Sequence, residues 1–342
     1  MKVYPYFVCE ISANHNGSII NAKKLIQIAK KNGADAVKLQ TYTPDTMTLK
    51  SNKNDFIIKE GLWKGRSLWD LYKKAQTPFE WHRELFNYAK KLKITCFSTP
   101  FDETAVDLLE RLNCPFYKVS SFEMTDIPLI KKIAKTKKLM IISTGMANLK
   151  EIDITYNLAK KNGAKEVILL YCVSNYPSKI SDFNFKNIRI LKERYNCRVG
   201  FSDHSTDNKI VAAAVAAGAE VIEKHIALDG QKKGFDIAFS LKGKEIKEYA
   251  RVIKETSLMM GKNYFFRSKT EIKNLRFRRS IYATQDIKKN ERFSKKNIKV
   301  IRPGFGIEPI YFEKLIKKKS PFYIKKQTPL KKMLLKKLRI CK

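Results

Sequence analysis

The sequence predicts an α/β chain: a (β/α)8 barrel followed by a small β-rich domain. Three observations carry that prediction. Eight short apolar runs alternate with helical patterns over residues 5–230, the strand count at which a parallel sheet closes on itself. Three helix ends are punctuated alike just before a predicted strand, by Asn32-Gly33-Ala34, Asn162-Gly163-Ala164 and Ala217-Gly218-Ala219. Beyond residue 280 the texture changes to short strands and tight turns such as Lys288-Lys289-Asn290 and Ile324-Lys325-Lys326-Gln327. A chain of 342 residues has room for a barrel of about 250 residues and an appendage.

The predicted strands are Tyr6–Ser12, Ala36–Thr41, Ile94–Thr99, Phe116–Ser121, Leu139–Thr144, Val167–Val173, Cys197–Ser202 and Val221–Ile226. Thr77-Pro78-Phe79-Glu80 predicts a helix start, with Thr77 as N-cap, Pro78 at N1 and Glu80 reaching back. The stretch Tyr42 to Gln76 is too long for a plain βα loop, so it is either a lid on the catalytic rim or a structural insertion. A helix from Thr206 to Ala217 stops at Gly218, and another runs from about Gly243 to Met260. These patterns place the barrel in residues 1–265, a basic linker in 266–279 and the β-rich domain in 280–342. That last domain is marginal alone and is expected to lean on another surface, with a basic, fraying end.

Composition narrows the function. The first residues, Met1 to Tyr6, lack the pattern of a secretory signal, and no run of about 18 apolar residues offers a membrane span. The six cysteines show no CxxC spacing and several sit in apolar strand-like runs, as reduced thiols of a cytoplasmic protein do. The formal net charge of +36 is nearly all lysine spread along the helices, and the one arginine cluster is Arg276 to Arg279. Nucleic-acid readers cluster arginine and interleave aromatics. An A/T-biased gene produces the same lysine excess, so nucleic acid is not expected as the main partner.

Barrel chemistry sits at the C-terminal strand ends. There the sequence offers Glu10 and Ser12, Lys38 and Gln40, Ser98 and Thr99, Lys118 with Ser120 and Ser121, Ser143 and Thr144, then Ser174 and Tyr176. The seventh and eighth strands end in Ser202-Asp203-His204 and Lys224-His225. Two of only four histidines thus close adjacent strands, where they can share one ion or one substrate; the alternative is two core or surface histidines with local hydrogen bonds. An open site of two imidazoles, one carboxylate and oxygen ligands accepts Zn²⁺, Mn²⁺ or Fe²⁺ alike. Glu10, Glu123, Asp203 and Asp236 are the candidate carboxylates. Lys38 and Lys118, inside apolar strands, are costly to bury without an anion, which points to a phosphate beside a carboxylate; the alternative is snorkelling to water.

The strings Glu10-Ile-Ser-Ala-Asn-His-Asn-Gly17, Val37-Lys-Leu-Gln-Thr41, Phe97-Ser-Thr-Pro-Phe101, Tyr117-Lys-Val-Ser-Ser121, Ile142-Ser-Thr-Gly-Met146, Phe201-Ser-Asp-His204 and Ile222-Glu-Lys-His225 resemble the sialic acid synthase family. Arg302-Pro-Gly-Phe-Gly306 resembles the signature of its C-terminal antifreeze-like (SAF) domain. Leu71 to His82 and Ser120 to Met124 look most like the branch that makes pseudaminic acid. The resemblance implies a TIM barrel that condenses phosphoenolpyruvate with an amino-sugar, here 2,4-diacetamido-2,4,6-trideoxy-altrose, and releases phosphate. It implies Mn²⁺ or Mg²⁺ on His204 and His225, with Glu10, Asp236 and Lys118 in catalytic positions. Lys38, Thr99, Ser121, Ser143 and Ser202 match the phosphoenolpyruvate contacts, and Gln40, Ser174 and Tyr176 fall around the sugar. It also implies a domain-swapped homodimer in which Arg302 reaches the partner's site. Ser174 and Arg276 depart from the neuraminate-type pattern around the sugar, and the tail after Leu330 is atypical. The rival reading is an N-acetylneuraminate or legionaminate synthase.

Overall fold

The computed structural model describes residues 4–262 and 264–340; Met1, Asn263 and Cys341 lie outside them. The chain divides into two compact units, Met1–Gly261 and Lys262–Lys342.

The first unit is the predicted barrel. Its strands are β1 (Tyr6–Glu10), β2 (Ala36–Thr41), β3 (Thr95–Pro100), β4 (Tyr117–Val119), β5 (Met140–Ser143), β6 (Val167–Cys172), β7 (Val199–Asp203) and β8 (Val221–Ala227). Each pairs in parallel with the next, and β8 closes onto β1. β6 (Val-Ile-Leu-Leu-Tyr-Cys) is a continuous run without charged residues because it is buried along its whole length, the condition under which parallel strands lose polar alternation. The helices outside are α1 (Ile19–Lys31), α2 (Leu68–Ala75), α3 (Phe79–Lys91), α4 (Glu103–Arg111), α5 (Ile127–Lys135), α6 (Leu149–Lys161), α7 (Lys186–Tyr195), α8 (Asn208–Ala216) and α9 (Lys244–Met260).

The three repeated helix ends share one geometry. Gly33, Gly163 and Gly218 have φ of +90°, +104° and +101°. The alanine after each donates five residues back, Ala34 to Ala29, Ala164 to Ala159 and Ala219 to Ala214, which closes a Schellman turn. The helix start at Thr77 differs from expectation. Pro78 occupies the N-cap of α3 with no side-chain cap, because the Thr77 hydroxyl is taken by His15 Nε2 at 3.2 Å.

Residues 42–76 form neither a bare loop nor a plain helix. They hold a one-turn helix at Pro44–Met47, a short hairpin pairing Ile57 with Ser67, and α2.

The second unit has its own core of Ile281, Ile287, Phe293, Ile298, Ile307, Leu315 and Leu330 around antiparallel strands β9 (Ser280–Ala283) and β10 (Ile298–Ile301). The basic tail expected to fray instead forms a turn and a half of helix, Lys332–Lys337, which buries Leu334 and Leu335. Among the described residues no helix is long and apolar enough to cross a membrane.

Candidate active site

Barrel closure sets the site. Register places Glu10 beside His225 and, on its other side, beside Lys38, so one inward-facing row carries imidazole, carboxylate and ammonium. Two residues earlier on β8, Glu223 faces inward as well and accepts from Ser202 Oγ at 3.0 Å. Side chains alternate along a strand, so Lys224, between Glu223 and His225, turns outward. There it pairs with Asp203 at 3.2 Å, and Tyr249 on α9 donates to the same carboxylate at 2.7 Å. Asp203 is thereby corrected as a candidate ligand: it braces the outside of β7 and β8 and does not line the cavity.

Inside lies a cavity of about 490 Å³, within the usual range of ligand sites. It is lined by Lys38, Gln40, Lys118, Ser121, Ser143, Ser174, Tyr176, Ser202, His204, His225 and Asp236. Ser12, Ser120 and Glu123, also candidates, line the same cavity. Glu10 and Thr99 stand behind Lys38 and do not line the cavity; Lys38 is ion-paired to Glu10 and donates to Thr99 Oγ1 at 3.0 Å. Arg302 lies in the second unit, in the turn after β10.

The electrostatics amend the lysine argument. Lys118 lies 3.4 Å and Lys38 3.8 Å from Glu223, and Lys38 also pairs with Glu10. The barrel supplies its own counter-charges, so burial of the lysines alone does not require a substrate anion. Burial pushes Glu10 up against the opposing pull of Lys38, while Lys118 and Lys38 overcome burial to hold Glu223 down. Burial lowers Lys118 despite Glu223. For Lys38, Glu10 and Glu223 outweigh burial and raise it.

What does suit an anion is a cradle of donors. The Gly145 N–H donates to Ser121 Oγ at 3.1 Å, and Ser143 Oγ is buried with no partner. Any Cβ on Gly145 would fall 2.1 Å from Ser174 Oγ and 2.8 Å from Ser121 Oγ, so only glycine lets the hydroxyls converge.

His204 and His225 meet with ring centroids 5.6 Å apart. His204 Nδ1–H donates to the Val173 carbonyl at 3.0 Å, which leaves Nε2 with its lone pair. His225 Nδ1 is buried without a hydrogen-bond partner, 3.7 Å from Asp236 Oδ2. Asp236 in turn accepts from Ser12, and burial raises its pKa. Burial lowers His204 to about 4 and His225 well below its ordinary value, so both rings are neutral at pH 7. Two neutral imidazoles, one with an orphaned buried nitrogen, have the chemistry of cation ligands. Among the described residues no three His, Cys, Asp or Glu side chains come close enough to hold an ion by themselves.

Sequence reasoning missed two things. Glu223 stands inside a quoted string, and its two-residue offset from His225 was the signal that it faces the barrel. The apolar mouth, with Met47, Ile58, Trp63, Leu68, Phe101 and Phe122, had no sequence motif.

Comparison with known proteins agrees with this geometry. The NeuB family matches residues 25–264 and the SAF domain matches residues 278–335. A pseudaminic acid synthase of Campylobacter jejuni is 44% identical over 320 residues, 94% of this chain and 93% of the relative. An N,N'-diacetyllegionaminic acid synthase of the same organism is 40% identical, over 91% of this chain and 94% of its own. The crystal structure of an N-acetylneuraminic acid synthetase from Leptospira borgpetersenii superposes with a TM-score of 0.72 at 28% identity, covering 80% of this chain and 91% of that one. On the strength of matches that span most of its length, the chain belongs to the NeuB family and carries a SAF domain at its C-terminal end.

Proposed function

We propose that the protein is a pseudaminic acid synthase. It condenses phosphoenolpyruvate with 2,4-diacetamido-2,4,6-trideoxy-β-L-altropyranose and water, giving pseudaminic acid and phosphate. The observation that carries this reading is the shared cavity: the two imidazoles and the Lys38–Lys118 serine cradle open into one space. The identity to a pseudaminic acid synthase, above that to a legionaminic acid synthase, supports the choice of sugar.

In this reading Lys38 and Lys118 hold the phosphate and carboxylate of phosphoenolpyruvate, and Ser121, Ser143 and Ser202 donate to their oxygens. Thr99 fixes the Lys38 ammonium. The open-chain sugar lies toward Gln40, Ser174 and Tyr176. C3 of phosphoenolpyruvate bonds to the aldehyde carbon, water adds at C2, and the C–O bond to phosphate then breaks. Glu10, behind Lys38 and with its pKa raised by burial, acts on the proton of water addition through the Lys38 ammonium, and Asp236 orients His225. A divalent cation, Mn²⁺ or Mg²⁺, on His204 and His225 supplies Lewis-acid polarisation of a carbonyl oxygen.

The SAF domain supplies Arg302 to the partner's site in a domain-swapped homodimer, residues 266–279 acting as the linker between the barrel and residues 280–342. The five described cysteines are free thiols, which suits a cytoplasmic enzyme.

The test is phosphate release from phosphoenolpyruvate with the altrose sugar. Release should stop with chelator and return with Mn²⁺. Equal or faster turnover of N-acetylmannosamine would overturn the choice of sugar.

A further inference from the structure

The cavity has two chemistries. Its floor is ammonium, hydroxyl and imidazole; its mouth is hydrocarbon. Most of the mouth comes from the 42–76 insertion, which contributes Met47, Ile58, Trp63, Leu68, Leu71 and Tyr72.

The insertion is an ordered strap. The Ile58 N–H donates to the Arg66 carbonyl at 2.9 Å, and the Gly65 N–H to the Ile58 carbonyl at 2.8 Å. From this hairpin Trp63 Nε1–H donates to the Phe235 carbonyl at 3.2 Å, and its ring lies 6.1 Å from Tyr176. The Arg66 guanidinium sits over the Phe235 ring at 5.6 Å. The strap therefore crosses the mouth from the end of β2 to the segment after β8. Apart from Glu60 and the tyrosines Tyr42 and Tyr72, every insertion side chain lining the cavity is hydrocarbon or already hydrogen-bonded.

Three of these side chains have no duty in the barrel core. Met47, Ile58 and Leu68 are half-buried, and none belongs to the core cluster or packs against it. A mouth built to hold a polyhydroxylated sugar presents amides, carboxylates and carbonyls to its hydroxyls. At Met47, Ile58 and Leu68 this one presents methyl and methylene groups.

Resting on the function proposed above, we propose that Met47, Ile58 and Leu68 form a methyl-reading subsite. They take the acetamido methyls and the C6 methyl of the trideoxy sugar, and so disfavour sugars with hydroxyls at those positions. The three methyls would otherwise stay in water, whereas a hydroxyl brought against the same surface loses its water without gaining a partner. One methyl-sized group in an apolar pocket discriminates by roughly 10- to 200-fold.

Steady-state kinetics with both substrates test the proposal, using Leu68→Asn and, on the hairpin, Ile58→Thr. The expected result is a roughly tenfold or greater rise in KM for the altrose sugar in each variant. KM for phosphoenolpyruvate should stay within about twofold, and Leu68→Met should restore the sugar KM. Thermal melts identify a variant that has merely lost its fold, in which both KM values would move together. An unchanged sugar KM in both variants, a parallel shift of both KM values in folded protein, or failure of Leu68→Met to restore binding would overturn the subsite. Failure of the unaltered enzyme to release phosphate with the altrose sugar would overturn the function proposed above, and the subsite with it. Because that failure shows in the unaltered protein, the two are told apart.

Discussion

The four histidines fall into two pairs that look alike by burial and differ in everything else. His15 and His82 lie at the seam between β2 and α3; His204 and His225 lie at the ends of β7 and β8. Burial holds His15, His82 and His204 each at about 4, and His225 well below its ordinary value. At the seam every ring nitrogen is engaged. His15 Nδ1 accepts from the Gly17 N–H at 3.1 Å, so its Nε2–H points to Thr77; His82 Nδ1–H donates to the Pro78 carbonyl at 3.0 Å and Nε2 meets the Thr41 hydroxyl at 2.8 Å. At the strand ends the inventory is left open, with His225 Nδ1 unpartnered beside the cavity. A depressed pKa by itself therefore does not separate the two pairs. An unmet hydrogen-bonding valence does.

Three tests would sharpen or break that contrast. His204→Ala or His225→Ala should lower kcat/KM for phosphate release by about 10³-fold, about 4 kcal/mol of transition-state stabilisation, with little change in melting temperature. Near-normal turnover in either variant would erase the distinction.

The seam pair should speak through stability and pH. Between the unfolded value of about 6.5 and the folded value of about 4, the unfolded chain binds more protons than the folded one. The stability contributed by each neutral ring is thus complete above about pH 6.5 and disappears as pH falls toward 4, on the order of 3 kcal/mol apiece. Urea midpoints from pH 7 to 4 should show this slope, and His82→Gln should make it shallower while leaving kcat near normal. A slope unaffected by His82→Gln would place the acid sensitivity elsewhere. Smallest of the three, Thr77→Val leaves His15 Nε2–H without an acceptor and should cost about 1–2 kcal/mol of unfolding free energy, read from the same midpoints.

Periodicity and punctuation made the barrel legible. Apolar runs and the three Asn/Ala-Gly-Ala ends predict eight strands, and all eight occur with boundaries shifted by two residues at most. The strand-end residues of the floor were legible for the same reason: a regular strand places its last side chains by parity alone. What stayed hidden depends on long-range geometry. Thr77 reads locally as a cap, but a buried imidazole 62 residues away outbids the helix for its hydroxyl. Lys118 reads as an unpaired cation because its counter-ion, Glu223, comes from a strand that meets its own only across the closed barrel, and Lys38 because its partner Glu10 becomes a neighbour only when β1 and β2 align in register. The hydrocarbon of Met47, Ile58 and Leu68 lies at the ends of short helices and on a hairpin, elements too short for a period to assign a face.

That ring closure has a consequence during synthesis. Lys118 emerges from the ribosome 223 − 118 = 105 residues ahead of Glu223, the one carboxylate among the described residues within ion-pairing distance of it. At about 5–20 residues per second the nascent chain carries that ammonium unneutralised for roughly 5–20 s. An aborted chain that stops short of β8 keeps an open sheet edge and an unmatched positive charge, so it resembles prey for quality-control proteases more than a smaller version of the enzyme.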